Sequence, residues 1–519
     1  MKKEIKGANE AVALAVLHSG VSDANAYPGT PSTEIMTYII KNSKLGHWTS
    51  NEKVSLETAL GVSYVGGRAF ISMKHVGLNA AADPLLSGST FKINGGVVIV
   101  VADDPSMYSS QNEQDSRYYA DFARIPCLEP STVQESYDMV RDAFEISEEL
   151  NKPVIVKMTT RLSHSKDALI EREPLEKIIK PLGNPTDWNS VPAYSKKSYA
   201  RSLSRIPDME KIAETSKYNT CRNTNSKVGV ITTGIAKEHY LELKNDLSHL
   251  HIGAYPIPQK LVQEFAKNLD EIIVIEEGYP YVERYLRGLL PTKQKIKGKV
   301  DGTLNFIGEM TTDAIRVALN PNYKIPEAIK PDFSLVGRPP QLCTGCPHGD
   351  SFKVIKAVVE ENKKIVVNGD IGCYSLGTLP PYNVPMTLVE MGSSIGMGIG
   401  SAICGKDVIA VIGDGTFIHS GMTSLVDCVA NNLKITIIIL DNQATAMTGG
   451  QPQILPSQRL AEIIKAIGVD AEHVKEFIPL PTKHNENVAL LKQELAYNGV
   501  SVLIGKRECM ETLRKRSSK

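Results

Sequence analysis

Apolar residues along the chain fall into two patterns. Short runs that are apolar almost throughout, at 96–102 (GVVIVVA), 408–412 (VIAVI) and 435–440 (ITIIIL), present no polar face and read as strands buried on both sides of a parallel sheet. Longer stretches, as at 8–19 and 33–41, read as helices. From residue 1 to about 175 the two kinds alternate, with a strand at 24–27, a Pro-Gly turn and the helix at 33–41, which predicts a parallel sheet with crossover helices. Between 176 and 226 the pattern fades into PLGNPTDWNSVPAYSKKSYARS, which predicts a surface linker. A second α/β unit spans 227–325, with VGVITTG as strand then turn and EIIVIEEG as a further strand. After the joint PEAIKPDF a third unit spans 335–510, followed by a basic end, ETLRKRSSK, expected to be a solvated tail. The expected fold class is α/β, with three doubly wound parallel-sheet domains and no repeat of fixed period.

A chain of 519 residues is too long for one core, which agrees with several domains. Lys plus Arg and Asp plus Glu both number 58, so no long-range field draws nucleic acid or an anionic membrane to the surface, and both are excluded as expected partners. The start, MKKEIK before the apolar 11–17, imitates a signal peptide, but Glu4, Asn9 and Glu10 interrupt it and a first amphipathic helix is expected instead. The apolar runs are too short to span a membrane, and the expected location is cytoplasmic. Eight scattered cysteines do not form a secreted disulfide framework and direct attention to metal or redox chemistry.

The chemistry is concentrated in the third unit. Its run at 408–412 leads into Gly413-Asp414-Gly415, and its run at 435–440 ends in Asp441-Asn442. The interval leaves room for one crossover helix, so both polar endings emerge at the sheet edge where open parallel sheets bind ligands. Asp414 and Asn442 offer hard oxygens to Mg²⁺, a backbone carbonyl such as that of Ala444 could complete the protein share, and a helix N-terminus offers N–H groups to a diphosphate. This is the pattern of a thiamine diphosphate site. The Gly-rich entry to a helix at Gly392 and Ser393 could approach the cofactor, or could serve only close helix packing. Thiamine chemistry also needs a carboxylic acid at the pyrimidine N1′. Glu52, ahead of a helical stretch, could supply it, or could be an ordinary acid at a helix start.

Several long segments, YPGTPSTEI, NEKVSLETALGVSYVGGRA, SMKHVGLNAAADPL, VVADDPSMYSSQNEQDSR, RPPQLCTGCPH, GDIGCYSLG, GDGTFIHSG and LDNQATAMTGGQP, resemble the thiamine-diphosphate subunit family of indolepyruvate ferredoxin oxidoreductases. The resemblance covers almost the whole chain. It implies a pyrimidine-binding domain at 1–175, a transketolase C-terminal-like domain at 227–325 and a diphosphate-binding domain at 335–510, with the cofactor between the first and the last. It implies that Glu52 is the activating carboxylate, that Thr30 faces the substrate, that Lys74, His75 and Asn79 line the pocket and that Arg117 takes the substrate carboxylate. The implied reaction is oxidative decarboxylation of 2-oxoacids, with arylpyruvates such as indolepyruvate favoured, to acyl-CoA and CO2. Coenzyme A, ferredoxin and a smaller beta subunit are the implied partners, with two copies of each subunit per assembly.

Cys343 and Cys346 form a Cys-x-x-Cys pair, which alone could serve zinc, redox chemistry or nothing. With Cys373 and Cys509 they resemble the four ligands of a [4Fe–4S] cluster in related 2-oxoacid ferredoxin oxidoreductases; zinc would accept the same sulfurs, and the implied redox chemistry tips the choice. Cys127, Cys221, Cys404 and Cys428 are expected to be small buried hydrophobes. Longer family members add a ferredoxin-like C-terminal domain, but no C-x₂-C-x₂-C-x₃-C run occurs here, so electrons are expected to leave for a separate iron–sulfur protein or for a partner subunit that carries the missing centres. Two rival readings are a non-oxidative thiamine-dependent decarboxylase or carboligase with inert cysteines, and a cofactor-binding scaffold with structural zinc.

Overall fold

The structure is a computed structural model that describes residues 3–177, 179–290, 294–326 and 341–517. Residues 327–340 lie outside it; they include most of the expected joint, the expected start of the third unit at 335 and the first three residues of RPPQLCTGCPH. The chain divides into two compact units, Met1–Ile329 and Lys330–Lys519.

The first unit has two large sheets and, among the described residues, a small antiparallel pair of Lys3–Gly7 with Lys166–Ile170. A seven-stranded sheet runs in the order Ala254–Tyr255, Cys127–Leu128, Val154–Thr159, Val97–Asp103, Ala69–Lys74, Asp23–Ala26 and Gly46–Trp48. Every pairing in it is parallel except that of Ala254–Tyr255, which is antiparallel to Cys127–Leu128. Side chains alternate between faces, so Val98 and Val100 pack with the helices Ala8–Leu17 and Val133–Leu150, while Ile99 and Val101 point to the other side. That other side shares one core with Leu250, Ile272 and Val274 of the second sheet. The second sheet has the order Lys295–Lys297, Glu271–Ile275, Val228–Thr233, Ser248–Ile252 and Thr220–Arg222, with only the last pairing antiparallel.

The second unit holds a wholly parallel six-stranded sheet: Thr387–Leu388, Val366–Gly369, Val408–Gly413, Ile435–Asp441, Val500–Lys506 and Val474–Phe477. One face, with Val411, Ile438 and Leu503, packs on the helices Pro347–Glu361 and His484–Ala496. The other, with Ile412, Ile437 and Ile504, packs on Ser393–Ile403, Met422–Ala430 and Leu460–Ile467. Chain order reverses between Val366–Gly369 and Val408–Gly413, which opens a crevice at the carboxyl ends of those strands. In the seven-stranded sheet the same reversal falls between Asp23–Ala26 and Ala69–Lys74.

The segment 176–226, expected to be a linker, is substantially structured. It contains the helices Pro192–Ser204 and Ile206–Glu214 and the edge strand Thr220–Arg222 of the second sheet. Its Pro192 and Pro207 occupy first-turn positions, where the missing N–H costs nothing and the fixed φ favours a helix start. The basic C-terminal stretch is likewise helical over Met510–Ser517, with mostly exposed side chains. Among the described residues no helix is long and apolar enough to cross a membrane.

Candidate functional site

In the second unit, Asp414 follows its strand directly and is nearly buried. Its Oδ1 accepts from the Gly415 N–H at 2.8 Å and from Gln453 Nε2 at 3.2 Å, and its Oδ2 accepts from the Gln443 N–H at 2.9 Å. Asp441, at the tip of the neighbouring strand, accepts from the Ser457 hydroxyl through one oxygen, while its buried Oδ1 has no hydrogen-bond partner. Burial, and then the proximity of Asp441, push the Asp414 carboxyl well above the usual range. A buried carboxyl that resists ionisation, beside a second buried acid with an unmatched oxygen, forms a donor set that a hard divalent cation neutralises. The residues therefore fit a Mg²⁺ ion. Asn442 turns the chain: its Oδ1 accepts from the Ala444 N–H at 3.1 Å, its Nδ2 faces His348 Nε2 at 3.1 Å, and Gln443 between them has a left-handed φ of 62°.

Gly413 packs against the Tyr374 ring, and Gly392, with φ of 88°, precedes the helix Ser393–Ile403 in a conformation that favours glycine. The start of that helix already faces a carboxylate, because Asp370 accepts from the Ser394 N–H at 3.3 Å and its hydroxyl at 2.7 Å. Burial lifts Asp370 to about 7 against those bonds. Ser393 donates to the Glu390 carbonyl at 2.8 Å.

Cys346 and Cys373 each feel the influence of other cysteines of the set Cys343, Cys346, Cys373 and Cys509 in this unit. Burial drives the Cys373 thiol up to about 12, and Cys346, Cys509 and Cys343 each add to the rise. Cys346 is raised by burial as well, with Cys343 and Cys509 contributing. The Cys509 N–H donates to the Asn442 carbonyl at 3.0 Å, tying this cysteine to the Asp441-Asn442 turn. Among the described residues no three His, Cys, Asp or Glu side chains stand ready around a single ion. Of the four cysteines expected to be buried hydrophobes, Cys127 and Cys428 are buried, but Cys221 and Cys404 are exposed, because each lies at an edge or a helix end rather than on a core face.

In the first unit a second cluster stands at the reversal of the seven-stranded sheet. Glu52 begins the helix Glu52–Tyr64 behind Asn51, whose side chain accepts from the Val54 N–H at 2.8 Å. The Glu52 carboxyl is buried against Gly77, where a Cβ would come within 2.7 Å of its carboxyl carbon. His75 donates from Nε2 to the Asn112 carbonyl at 3.1 Å, its buried Nδ1 has no partner, and burial lowers its pKa. Lys74 donates to the Ser109 carbonyl, and burial brings its ammonium down to about 8. Thr30 meets the same loop, its carbonyl 3.4 Å from the Ser109 hydroxyl, and Asn79 accepts from the Tyr119 hydroxyl at 2.6 Å.

The two regions match described families. Residues 15–228 match pyruvate flavodoxin/ferredoxin oxidoreductase, thiamine diphosphate-binding, and residues 370–503 match the C-terminal TPP-binding domain of thiamine pyrophosphate enzymes. Across 97% of its length the chain is 36% identical to the indolepyruvate oxidoreductase subunit IorA of Methanothermobacter thermautotrophicus, covering 86% of that protein. The chain belongs to the IorA family. It is also 34% identical to the IorA of Pyrococcus horikoshii, with 96% of this chain and 85% of that one covered. A solved 2-oxoglutarate:ferredoxin oxidoreductase from Magnetococcus marinus shares the fold over 62% of this chain and 65% of its own, with a TM-score of 0.51 at 17% identity.

One site assignment drawn from the IorA-family resemblance does not survive. Arg117 is 1% exposed, and its guanidinium binds Asp115 through Nε at 2.9 Å, Glu276 at 2.9 Å and the Glu277 carbonyl at 3.0 Å. With these donors engaged inside the protein, it is a structural ion and not a receptor for a substrate carboxylate. Two residues were not singled out from the sequence. Asp104 anchors the 104–110 loop by accepting from the Ser109 N–H at 2.9 Å and the Thr160 hydroxyl at 2.7 Å; the acidic pair closing an apolar run was its signal. His348 is the other, and its place directly after Cys-x-x-Cys-Pro was the available cue.

Proposed function

We propose that the chain is the thiamine diphosphate-binding subunit of a 2-oxoacid oxidoreductase acting on arylpyruvates such as indolepyruvate. A 2-oxoacid, coenzyme A and two oxidised ferredoxins yield an acyl-CoA, CO2, a proton and two reduced ferredoxins. Thiamine diphosphate, when bound, supplies the nucleophilic carbon and the electron sink for decarboxylation. Asp414, Asn442 and the Ala444 carbonyl would hold Mg²⁺, which would supply positive charge to the diphosphate, and Gly413, Gly415, Gly392 and Ser393 would border the cofactor. Glu52 holds the proton shared with the pyrimidine N1′, its carboxyl kept in place by Gly77. Thr30 and His75 border the substrate, with the unpartnered His75 Nδ1 available as an acceptor. Cys343, Cys346, Cys373 and Cys509 would hold a [4Fe–4S] cluster, which would supply one-electron transfer toward ferredoxin. A smaller beta subunit pairs with this chain, two copies of each.

The observation that carries this reading is the meeting of the Asp414 and Asn442 strand tips in one unit, with the Cys509 N–H donating to the Asn442 carbonyl at 3.0 Å and Cys346 and Cys373 each under the influence of other cysteines of the set. The IorA names of the relatives support the choice of substrate. Anaerobic purification with iron, zinc and sulfide analysis tests it. About four irons and four sulfides per chain, with absorbance that bleaches on dithionite, are expected. Zinc alone would reject the redox reading, and turnover without an electron acceptor would favour a non-oxidative decarboxylase.

A further inference from the structure

We propose that His348 is a positioning residue for the Mg²⁺ ligand Asn442, selecting which end of its amide faces the ion. This rests on the reading of Asp414 and Asn442 as the metal site. A side-chain amide has two ends of opposite polarity, and only its oxygen can ligate a cation. At Asn442 both ends have defined partners. Nδ2, a donor only, lies 3.1 Å from His348 Nε2, which therefore accepts. Oδ1 accepts from the Ala444 N–H at 3.1 Å and keeps a second lone pair. Turning the amide over would set Nδ2 against the Ala444 N–H, donor against donor.

Both residues are buried, His348 at 3% and Asn442 at 6% exposure, so the amide has little water with which to satisfy Nδ2. Leaving a buried donor unmatched is costly, which favours rotation of the side chain away from its ligating pose. The imidazole is itself fixed, in the first turn of the helix Pro347–Glu361 and edge-on to the Tyr374 ring at 6.1 Å. Its neighbour Cys346 and the Cys509 N–H, which donates to the Asn442 carbonyl at 3.0 Å, bring two cysteine-bearing segments to bear on this one asparagine. His348 thus couples the Cys-x-x-Cys turn to the metal ligand.

The test is binding of Mn²⁺, used in place of Mg²⁺, to the purified protein with thiamine diphosphate, read by electron paramagnetic resonance. His348→Asn, too short to reach the amide, is expected to weaken Mn²⁺ binding about 10- to 100-fold, the usual effect of losing an outer-shell partner. His348→Gln, whose carbonyl reaches nearly as far as Nε2, is expected to restore most of it. In an Asn442→Ala background, His348→Asn is expected to add no further loss, which a purely structural role would not predict. Equal Mn²⁺ affinity in wild type, His348→Asn and His348→Gln would overturn the proposal, as would an undiminished loss in the Asn442→Ala background. Wild-type affinity in Asn442→Ala itself would overturn the metal assignment, and the role of His348 with it.

Discussion

Replacing Glu52 with Gln changes one oxygen into an NH2 and leaves the side-chain volume almost intact, so the contact with Gly77 survives. The amide cannot share the N1′ proton as a carboxylic acid does. Thiamine diphosphate is therefore expected to bind Glu52→Gln with near-native affinity by calorimetry, while hydrogen–deuterium exchange at its C2, followed by NMR, slows about 10²- to 10⁴-fold. Normal exchange would remove Glu52 from the mechanism. Single residues were unevenly legible in the sequence. Asp414 and Asn442 could be read because the strand periodicity around them fixed which edge they occupy. Arg117 could not, since a sequence does not show that Asp115, 2 residues away, and Glu276, far along the chain, consume its charge.

The strand Ser248–Ile252 carries two histidines, His249 and His251, both hydrogen-bonded to the Thr232 hydroxyl of the adjacent strand, at 2.9 and 3.1 Å. Burial lowers His249 to about 3 and His251 to about 4. Because the folded values lie below the ordinary 6.5, the unfolded chain takes up protons first as pH falls. Stability is full above about pH 6.5 and is lost progressively toward pH 4, by on the order of 3 kcal/mol through His251 alone. Urea midpoints measured from pH 7 to 4.5 are expected to fall in the wild type and to fall less steeply in His251→Gln. At this scale the strands were the clearest signal: the runs at 96–102, 408–412 and 435–440 appear as Val97–Asp103, Val408–Gly413 and Ile435–Asp441. The helices of 176–226 were obscured because proline was read as a breaker where it begins a helix.

Across the first unit, the seven-stranded and five-stranded sheets are joined by a buried ion network. Arg117 and Lys157 stand against Asp115, Glu129 and Glu276, with Lys157 Nζ 2.7 Å from Glu129. Removing one cation strands the acids in the interior, a loss of about 3–5 kcal/mol. Arg117→Leu is therefore expected to unfold at markedly lower urea; unchanged stability would show that the network is dispensable. The sequence conveyed that several α/β sheets exist but not that two of them share a core, since Ile99 and Ile272 are far apart in the chain and contact order is invisible in a periodicity. The Ala254–Tyr255 strand makes that union topological. Having placed three strands in the five-stranded sheet, the backbone crosses back to the rim of the seven-stranded one and only then returns to add two more, like a thread drawn back through cloth already sewn. A protease that cut the segment between the sheets would release no piece, since both fragments would stay stitched by a pairing made after the cut point.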